Sequence, residues 1–197
     1  LNYNIGNLAS VQNALQMLEN VSIDIVHDAD LIASYDKVIL PGVGAFENAM
    51  KHLIASNMNE AIDLFVKSGK QILGICLGMQ LLFDKSYEFG EHLGLGLISG
   101  EVVKFRDSTL KIPHIGWNTI DIKQDSRLLK GIANNEYFYF VHSYYVKAKY
   151  KENILAMCNY GEDFGAIVQK DNVFGIQPHP EKSSNAGLKI LNNFINL

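Results

Sequence analysis

A chain of 197 residues, 48% hydrophobic and 19% charged, is long enough to bury a sizeable core and fits one domain spanning 1–197. Its net charge of −4 without a basic cluster speaks against nucleic acid or an anionic membrane as partner. No apolar run approaches the roughly 20 residues of a membrane span. Two cysteines and six histidines, none in a ligand-spaced pair, give neither a disulfide framework nor a metal motif, so no metal and no cofactor are expected. No signal-peptide pattern is present, which makes a reducing cytoplasm the expected location.

Leu1-Asn2-Tyr3 reads as the tail of a strand, and with Leu in place of Met a few residues are expected to precede it. Residues 7–18 carry Leu8, Val11, Leu15 and Leu18 at helical spacing, and Ser22–Val26 reads as a short strand. Lys37–Leu40 is an apolar strand ending at Pro41. Ala45–Ala55 and Met58–Val66 are helical, and Gln71–Ile75 is strand again. The second half is richer in strands: Glu101–Phe105, Asn118–Ile122, Tyr137–Val141, Ile154–Cys158, Gly165–Gln169 and Val173–Ile176. A last helix, Ala186–Ile195, closes the domain. Strands alternating with helices predict an α/β fold: an open, mostly parallel sheet flanked by helices, with an antiparallel extension. In such sheets ligands sit at the carboxyl edge of the strands.

Two segments carry chemistry. Gly74-Ile75-Cys76-Leu77-Gly78-Met79-Gln80 places a cysteine between two glycines where an apolar strand gives way to a helical pattern. That is the arrangement of a nucleophile elbow, a sharp strand-to-helix turn that lifts the reactive side chain clear of the sheet. Glycine is needed on both sides because a side chain there would collide across the turn. A thiol at a helix start also gains from free N–H groups that favour thiolate. The other cysteine, in Leu155-Ala156-Met157-Cys158, has no such frame and reads as core.

Pro178-His179-Pro180-Glu181 follows about a hundred residues later. Gln177 and His179 each precede a proline and are pushed into extended conformation, so residues two apart point the same way. Glu181 can then hold one imidazole nitrogen of His179 while the other meets Cys76, the nucleophile–base–orienter logic of a triad. Pro41-Gly42-Val43-Gly44-Ala45-Phe46 leaves a strand and enters a helix. Its backbone around Val43, with the Leu77 amide just after the nucleophile, suits an oxyanion hole. It is not a phosphate loop, because the Lys-Ser/Thr ending is absent. Pro113-His114-Ile115-Gly116-Trp117-Asn118 holds the only tryptophan, and Tyr137–Tyr145 is a strand whose exit carries His142, Ser143 and Tyr144. Taken singly, His114 and His142 read as satisfied core histidines.

These five segments in this order resemble the class I, triad-type glutamine amidotransferases. More narrowly, Gly6-Asn7-Leu8, Pro-Gly-Val-Gly-Ala-Phe, Pro-His-Ile-Gly-Trp-Asn and Phe-Val-His-Ser-Tyr are similar to the histidine-pathway branch, the glutaminase subunits of imidazole glycerol phosphate synthase. The resemblance runs from Tyr3 to the carboxyl terminus. It implies that Cys76 is the nucleophile, His179 the base and Glu181 its orienter. It also implies that Gln80 and the backbone around Gly44, Ser143 and Tyr144 hold the amino-acid end of L-glutamine. Two positions depart from the pattern: Pro178 stands where the family usually has an aromatic residue, and Asn2 where many members have Asp.

The glutaminase domain accounts for the whole chain, so an acceptor domain is expected on another subunit. The family's partner is a cyclase subunit, a (β/α)8 barrel, in a heterodimer that channels ammonia. Tyr3, Asn4, Asn7, Trp117 and Tyr139 lie near the carboxyl edge of the sheet and are the expected interface, aromatic residues being enriched in interface cores. A paralogue serving a sugar amidotransferase would carry the same site. A cysteine peptidase fits less well with Gln80 and the Pro41–Phe46 loop, and a non-catalytic module less well with a full triad.

Overall fold

A computed structural model describes residues 1–3, 8–106 and 109–197 of the chain. The first half alternates as expected, through α1 (Leu8–Gln16), β1 (Lys37–Leu40), α2 (Phe46–Ala55), α3 (Met58–Lys67), β2 (Gln71–Ile75) and the short α4 (Leu77–Leu81). Next come β3 (Phe83–Ser86), β4 (His92–Leu93), β5 (Ile98–Lys104), β6 (His114–Thr119) and β7 (Asp121–Ile122). The chain ends through β8 (Tyr137–His142), β9 (Tyr144–Ala148), β10 (Ile154–Tyr160), β11 (Glu162–Lys170), β12 (Val173–Ile176) and α5 (Ser184–Ile195).

The main sheet runs β1-β2-β12-β11-β9-β5-β3-β4, with β10 beside β11 and β7 beside β10. Pairing is parallel between β1 and β2, between β2 and β12, and between β3 and β5, and antiparallel elsewhere. The open sheet with helices on both faces is present, and its antiparallel part is larger than the periodicity suggested. The reason is two stretches that carry no clean strand signal. Phe83-Asp84-Lys85-Ser86 is half charged, and Tyr144–Ala148 is hidden by its continuity with the aromatic run before it. That run divides at Ser143. Among the described residues β8 pairs only with β6, in a separate two-stranded sheet, whereas β9 joins the main sheet through β5 and β11. The expected strand Asn118–Ile122 likewise splits at buried Ile120 between β6 and β7.

One further expectation fails. Ser22–Val26 forms no strand, although the Asn2 N–H donates to Val26 O at 2.8 Å. The helix expected over residues 7–18 spans Leu8–Gln16, its first expected residue lying outside those described.

β2 is buried on both faces, as a central parallel strand must be. Leu73 and Ile75 face a core shared with Val11 and Leu15 of α1 and Leu191 and Phe194 of α5. Ile72 faces the opposite core, with Phe46 and Leu53 of α2 and Ile62 and Phe65 of α3. The two cores clamp β2 from both sides and hold its carboxyl end, where Cys76 follows, in a fixed place.

Candidate active site

Cys76 takes φ 53° and ψ −111°, backbone angles that a residue with a side chain adopts only when its surroundings impose them. Those surroundings are visible. The Cys76 N–H donates to Ile176 O at 2.8 Å, extending the β2–β12 ladder one residue beyond the strand. A Cβ on Gly74 would lie 2.6 Å from Gly78 O, and one on Gly78 would lie 1.8 Å from Leu40 O. The expected glycine frame therefore follows from contact: the turn closes on itself and on the end of β1. Cys158, by contrast, is buried in the core, and burial, aided by the charge of Asp163, pushes its thiol up to about 12.

His179 reaches the same place from the end of β12. Its N–H donates to Tyr139 O at 2.9 Å, and its carbonyl accepts from the buried Ser183 hydroxyl at 2.6 Å. Ser183 Oγ in turn accepts from the Tyr139 N–H at 3.0 Å, so the segment is stitched to β8 twice. Helix α5 lies flush against it, since a Cβ on Gly187 would come within 1.9 Å of Pro180 O. His179 is extended, as its proline requires, but Pro180–Lys182 forms a 3-10 turn rather than a continued extended chain. The turn still brings Glu181 Oε1 to 2.8 Å from His179 Nδ1.

With Nδ1 occupied, the buried Nε2 of His179 makes no hydrogen bond of good geometry among the described residues and is left for Cys76. Burial alone would lower the imidazole's pKa. Interaction with the Cys76 sulfur and the hydrogen bond to Glu181, with the charges of both, outweigh it and push His179 up to about 10. At neutral pH the ring is therefore imidazolium, with the Cys76 sulfur on one side and the Glu181 carboxyl group on the other.

A cavity of about 300 Å³ opens in front of the pair, at the small end of ligand pockets. Its walls include Val43, Gly44, Cys76, Leu77, Gln80, Ser143, Tyr144 and His179, so the structure brings the expected nucleophile, base, oxyanion loop and amino-acid-binding residues to one place. Glu181 stands behind His179, outside the wall. Gly44 has φ +94°, the left-handed region that favours glycine. Gln80 Nε2 donates to Tyr144 O at 2.9 Å and to Gln177 Oε1 at 3.0 Å.

Three functional candidates escaped the sequence. Glu88 lines the cavity, its Oε2 accepting from the Phe46 N–H at 2.6 Å; nothing in Ser86-Tyr87-Glu88-Phe89 marks it. Ser183 pins the His179 segment. Gln177 was visible only as a residue before proline, yet its Nε2 lies 3.7 Å from Cys76 Sγ. His114 and His142, both read from the sequence as core histidines, form a pair joined at 3.1 Å. The acceptor Tyr144 O lies 2.9 Å from His142 Nδ1, which fixes that nitrogen as the donor and makes His142 Nε2 the acceptor from His114 Nδ1. The Asn118 amide donates to His114 Nε2 at 3.3 Å and completes the chain. Burial lowers His114 to about 4. Burial, opposed by the bond to Tyr144 O and aided by the charges of His114 and His179, lowers His142 to about 3. Both are neutral and satisfied, as read from the sequence.

The expected interface residues separate. Trp117, 51% exposed, and half-buried Tyr139 are register partners on the outer face of the β6–β8 sheet, their rings 6.1 Å apart, with exposed Ile115 and Tyr137 beside them. Tyr3 must be corrected: it is buried, its hydroxyl donates to Pro41 O at 2.7 Å, and it supports the loop before Gly42 from beneath instead of offering surface. Asn4 and Asn7 lie outside the described residues. Among the described residues no cluster of three or more His, Cys, Asp or Glu is placed to hold a metal, and no helix is long and apolar enough to cross a membrane.

The profile of the family described as glutamine amidotransferase class-I matches residues 4–197. The chain belongs to the class I glutamine amidotransferases. Within this family it is similar over its whole length to proteins named imidazole glycerol phosphate synthase subunit HisH. The one from Helicobacter hepaticus is 51% identical, with 100% of this chain and 96% of that protein covered. The Wolinella succinogenes protein is 52% identical over 98% of this chain and 96% of its own length. HisH 1 of Methanococcus maripaludis is 48% identical over 100% and 98%. Among solved structures, a crystal structure of a glutamine amidotransferase aligns with a TM-score of 0.76 at 16% identity, covering 98% of this chain and 94% of that one. The structure of PurLQS from Thermotoga maritima aligns at 0.72 and 21% identity, covering 99% and 95%. The class I amidotransferase fold is thus shared with chains whose sequences have diverged far from this one.

Proposed function

We propose that residues 1–197 form one glutaminase domain that hydrolyses L-glutamine to glutamate and ammonia through a thioester on Cys76. The observation that carries this reading is the buried line Glu181–His179–Cys76 opening onto a cavity with an acceptor-rich end. Glu88 and the carbonyl of Gln80, whose amide hydrogens are spent on Tyr144 O and Gln177 Oε1, suit an α-ammonium group.

The thiolate attacks the carboxamide carbon, and the developing oxyanion is received by the backbone N–H groups of Val43 and Leu77. His179 is already imidazolium, so its first act is that of an acid. Its Nε2–H protonates the departing nitrogen as the C–N bond breaks, leaving the thioester and a neutral ring. That ring then takes a proton from water as its oxygen attacks the thioester carbon. Cleavage of the C–S bond releases glutamate and restores the thiolate–imidazolium pair. Gly44, Ser143 and Tyr144 hold the amino-acid end of the substrate.

The partner belongs to the same proposal. Relatives named as synthase subunits support a heterodimer in the cytoplasm. In it a (β/α)8-barrel cyclase subunit covers Trp117 and Tyr139 and receives the ammonia for histidine biosynthesis. Ammonia released to water would be protonated and lose its nucleophilicity. An electrophilic glutamine analogue tests the chemistry. Peptide mapping should find the label on Cys76, and Cys76→Ala should abolish glutamate release while the protein stays folded. Label mainly on Cys158 would overturn the assignment.

A further inference from the structure

The Gln177 carboxamide stands where the proposed reaction has so far used no group, and its orientation is forced. Tyr144 O is a backbone carbonyl and can only accept, so the end of Gln80 facing it at 2.9 Å is the amide NH2. The second hydrogen of that NH2 points to Gln177 at 3.0 Å, which makes the facing atom of Gln177 its Oε1. The Gln177 NH2 must then be the end turned to Cys76 Sγ, 3.7 Å away. A flipped carboxamide would set two NH2 groups against each other. The backbone is held as firmly: the Gln177 N–H donates to Ala166 O at 2.8 Å, and Pro178 confines the residue to extended angles. The residue is wholly buried, so water does not compete for the contact.

We propose that Gln177 is a further catalytic residue, an amide donor that holds the Cys76 sulfur as thiolate and receives it again when the thioester is cleaved. This rests on Cys76 being the nucleophile. The sulfur has two states with different needs. As a thiol it donates, and Val141 O lies 3.9 Å from it as acceptor. As a thiolate it can only accept, and the donors around it are Gln177 Nε2 and the His179 imidazolium. An anion in so buried a place is costly unless hydrogen-bonded. A neutral donor lowers that cost without opposing the imidazolium's positive charge. Once sulfur is acylated it is a poor acceptor, so the amide favours the free thiolate both before attack and at its departure.

The other titratable groups around the sulfur are His179 with Glu181 behind it, Tyr3 from the first segment, and His142, Tyr144 and Glu88 on the cavity wall. None is altered in the variants proposed, so a moved profile reports Gln177. The experiment is the rate of carboxamidomethylation of Cys76 by iodoacetamide against pH, with peptide mapping to separate it from Cys158. It compares the unsubstituted chain with Gln177→Met and Gln177→Glu, folding being checked by circular dichroism. The midpoint should rise by about one pH unit in Gln177→Met, the tenfold effect of one hydrogen bond to a charge. It should rise further in Gln177→Glu, where a carboxylate faces the sulfur. kcat for glutamine should fall roughly tenfold or more, with KM changed much less. Unmoved midpoints in folded variants would overturn the proposal. Should both variants misfold, the side-chain amide resonances of Gln177 in the unsubstituted protein decide the matter. They should shift on alkylation of Cys76, and unchanged resonances would overturn the proposal equally. Neither readout needs glutamine, so a chain without glutaminase turnover would refute the proposed function while leaving this test intact.

Discussion

Glu181 Oε1 lies 2.8 Å from His179 Nδ1, and the two side chains are 1% and 4% exposed. The carboxylate's second oxygen is buried without a hydrogen-bond partner among the described residues, so its charge is directed at the imidazole. This fixes the ring's orientation and, when the ring is neutral, its tautomer, and leaves Nε2 as the proton carrier toward Cys76.

Because Glu181 acts through His179, Glu181→Gln should retain more glutaminase activity than His179→Asn. The glutamine amide can still accept from Nδ1–H, whereas asparagine at 179 carries no titratable proton. Loss of general acid–base assistance is typically worth about 10²–10⁴-fold in rate, and His179→Asn should fall in that range. The measure is glutamate release at saturating glutamine. A more damaging Glu181→Gln, with the fold intact, would reverse the roles assigned.

The elbow can be probed through its glycines. A Cβ on Gly78 would sit 1.8 Å from Leu40 O, a backbone atom held in the β1–β2 ladder that cannot step aside. Gly78→Ala should therefore destabilise the fold by about 1–3 kcal/mol or more and displace Cys76 from the cavity. Chemical denaturation reads the first effect and the rate of Cys76 alkylation the second. A variant of full stability would show that the turn has slack the structure does not reveal.

Much of this was legible because the relevant residues act locally. The Gly74–Gly78 frame is a contact within five residues, and the His179–Glu181 pair within three, so spacing alone exposes them. Paired elements with period-two or helical patterning, such as Gln71–Ile75 and Met58–Lys67, were also readable. What the sequence hid are meetings between distant segments. Gln80, Gln177 and Tyr144 O converge across 97 and 64 residues, and Glu88 turns toward the α2 start from a loop without pattern. Tyr3 carried the aromatic signature of an interface residue, but whether an aromatic ring faces a partner or the underside of a loop depends on tertiary packing. The division at Ser143 escaped for the same reason: Phe-Val-His-Ser-Tyr-Tyr-Val is one continuous β-pattern, and only the choice of partners, β6 before it and β5 after it, breaks it in two.

The buried histidines set the response to acid. His114 and His142 have folded pKa values lowered to about 4 and about 3, against 6.5 for the unfolded chain. Their contribution is present in full above pH 6.5 and is lost as pH falls below it, because the unfolded chain takes up protons that the folded one refuses. By pH 5 the loss should be on the order of 1–2 kcal/mol for each. His179, raised to about 10, runs the other way: its contribution is complete below pH 6.5 and fades as pH climbs toward 10, so it offsets only part of the acid loss. Denaturant midpoints at pH 7 and pH 5 give the stability difference, and ring-proton NMR the individual titrations. A ring of His114 or His142 titrating near 6.5 would refute the buried neutral pair.

The outer face of the β6–β8 sheet is where a partner can speak to the site. Trp117 and Tyr139 face solvent there, and the strand that carries Tyr139 is bonded directly to the catalytic segment through Tyr139 O to His179 N and Tyr139 N to Ser183 Oγ. Lys182 Nζ lies 5.9 Å from the centre of the Tyr139 ring, so a docking subunit that shifts this ring acts on residues flanking His179 itself. Covering the face with the proposed cyclase subunit should therefore raise glutamate release above that of the chain alone. Trp117→Ala and Tyr139→Ala should weaken complex formation or this stimulation, while labelling of Cys76 in the isolated chain stays near its unsubstituted rate. Size-exclusion chromatography with paired activity assays separates docking from coupling. No complex and no stimulation would mean that the face serves another acceptor or none, whereas loss of Cys76 labelling in both variants would make these residues part of the site's own scaffold.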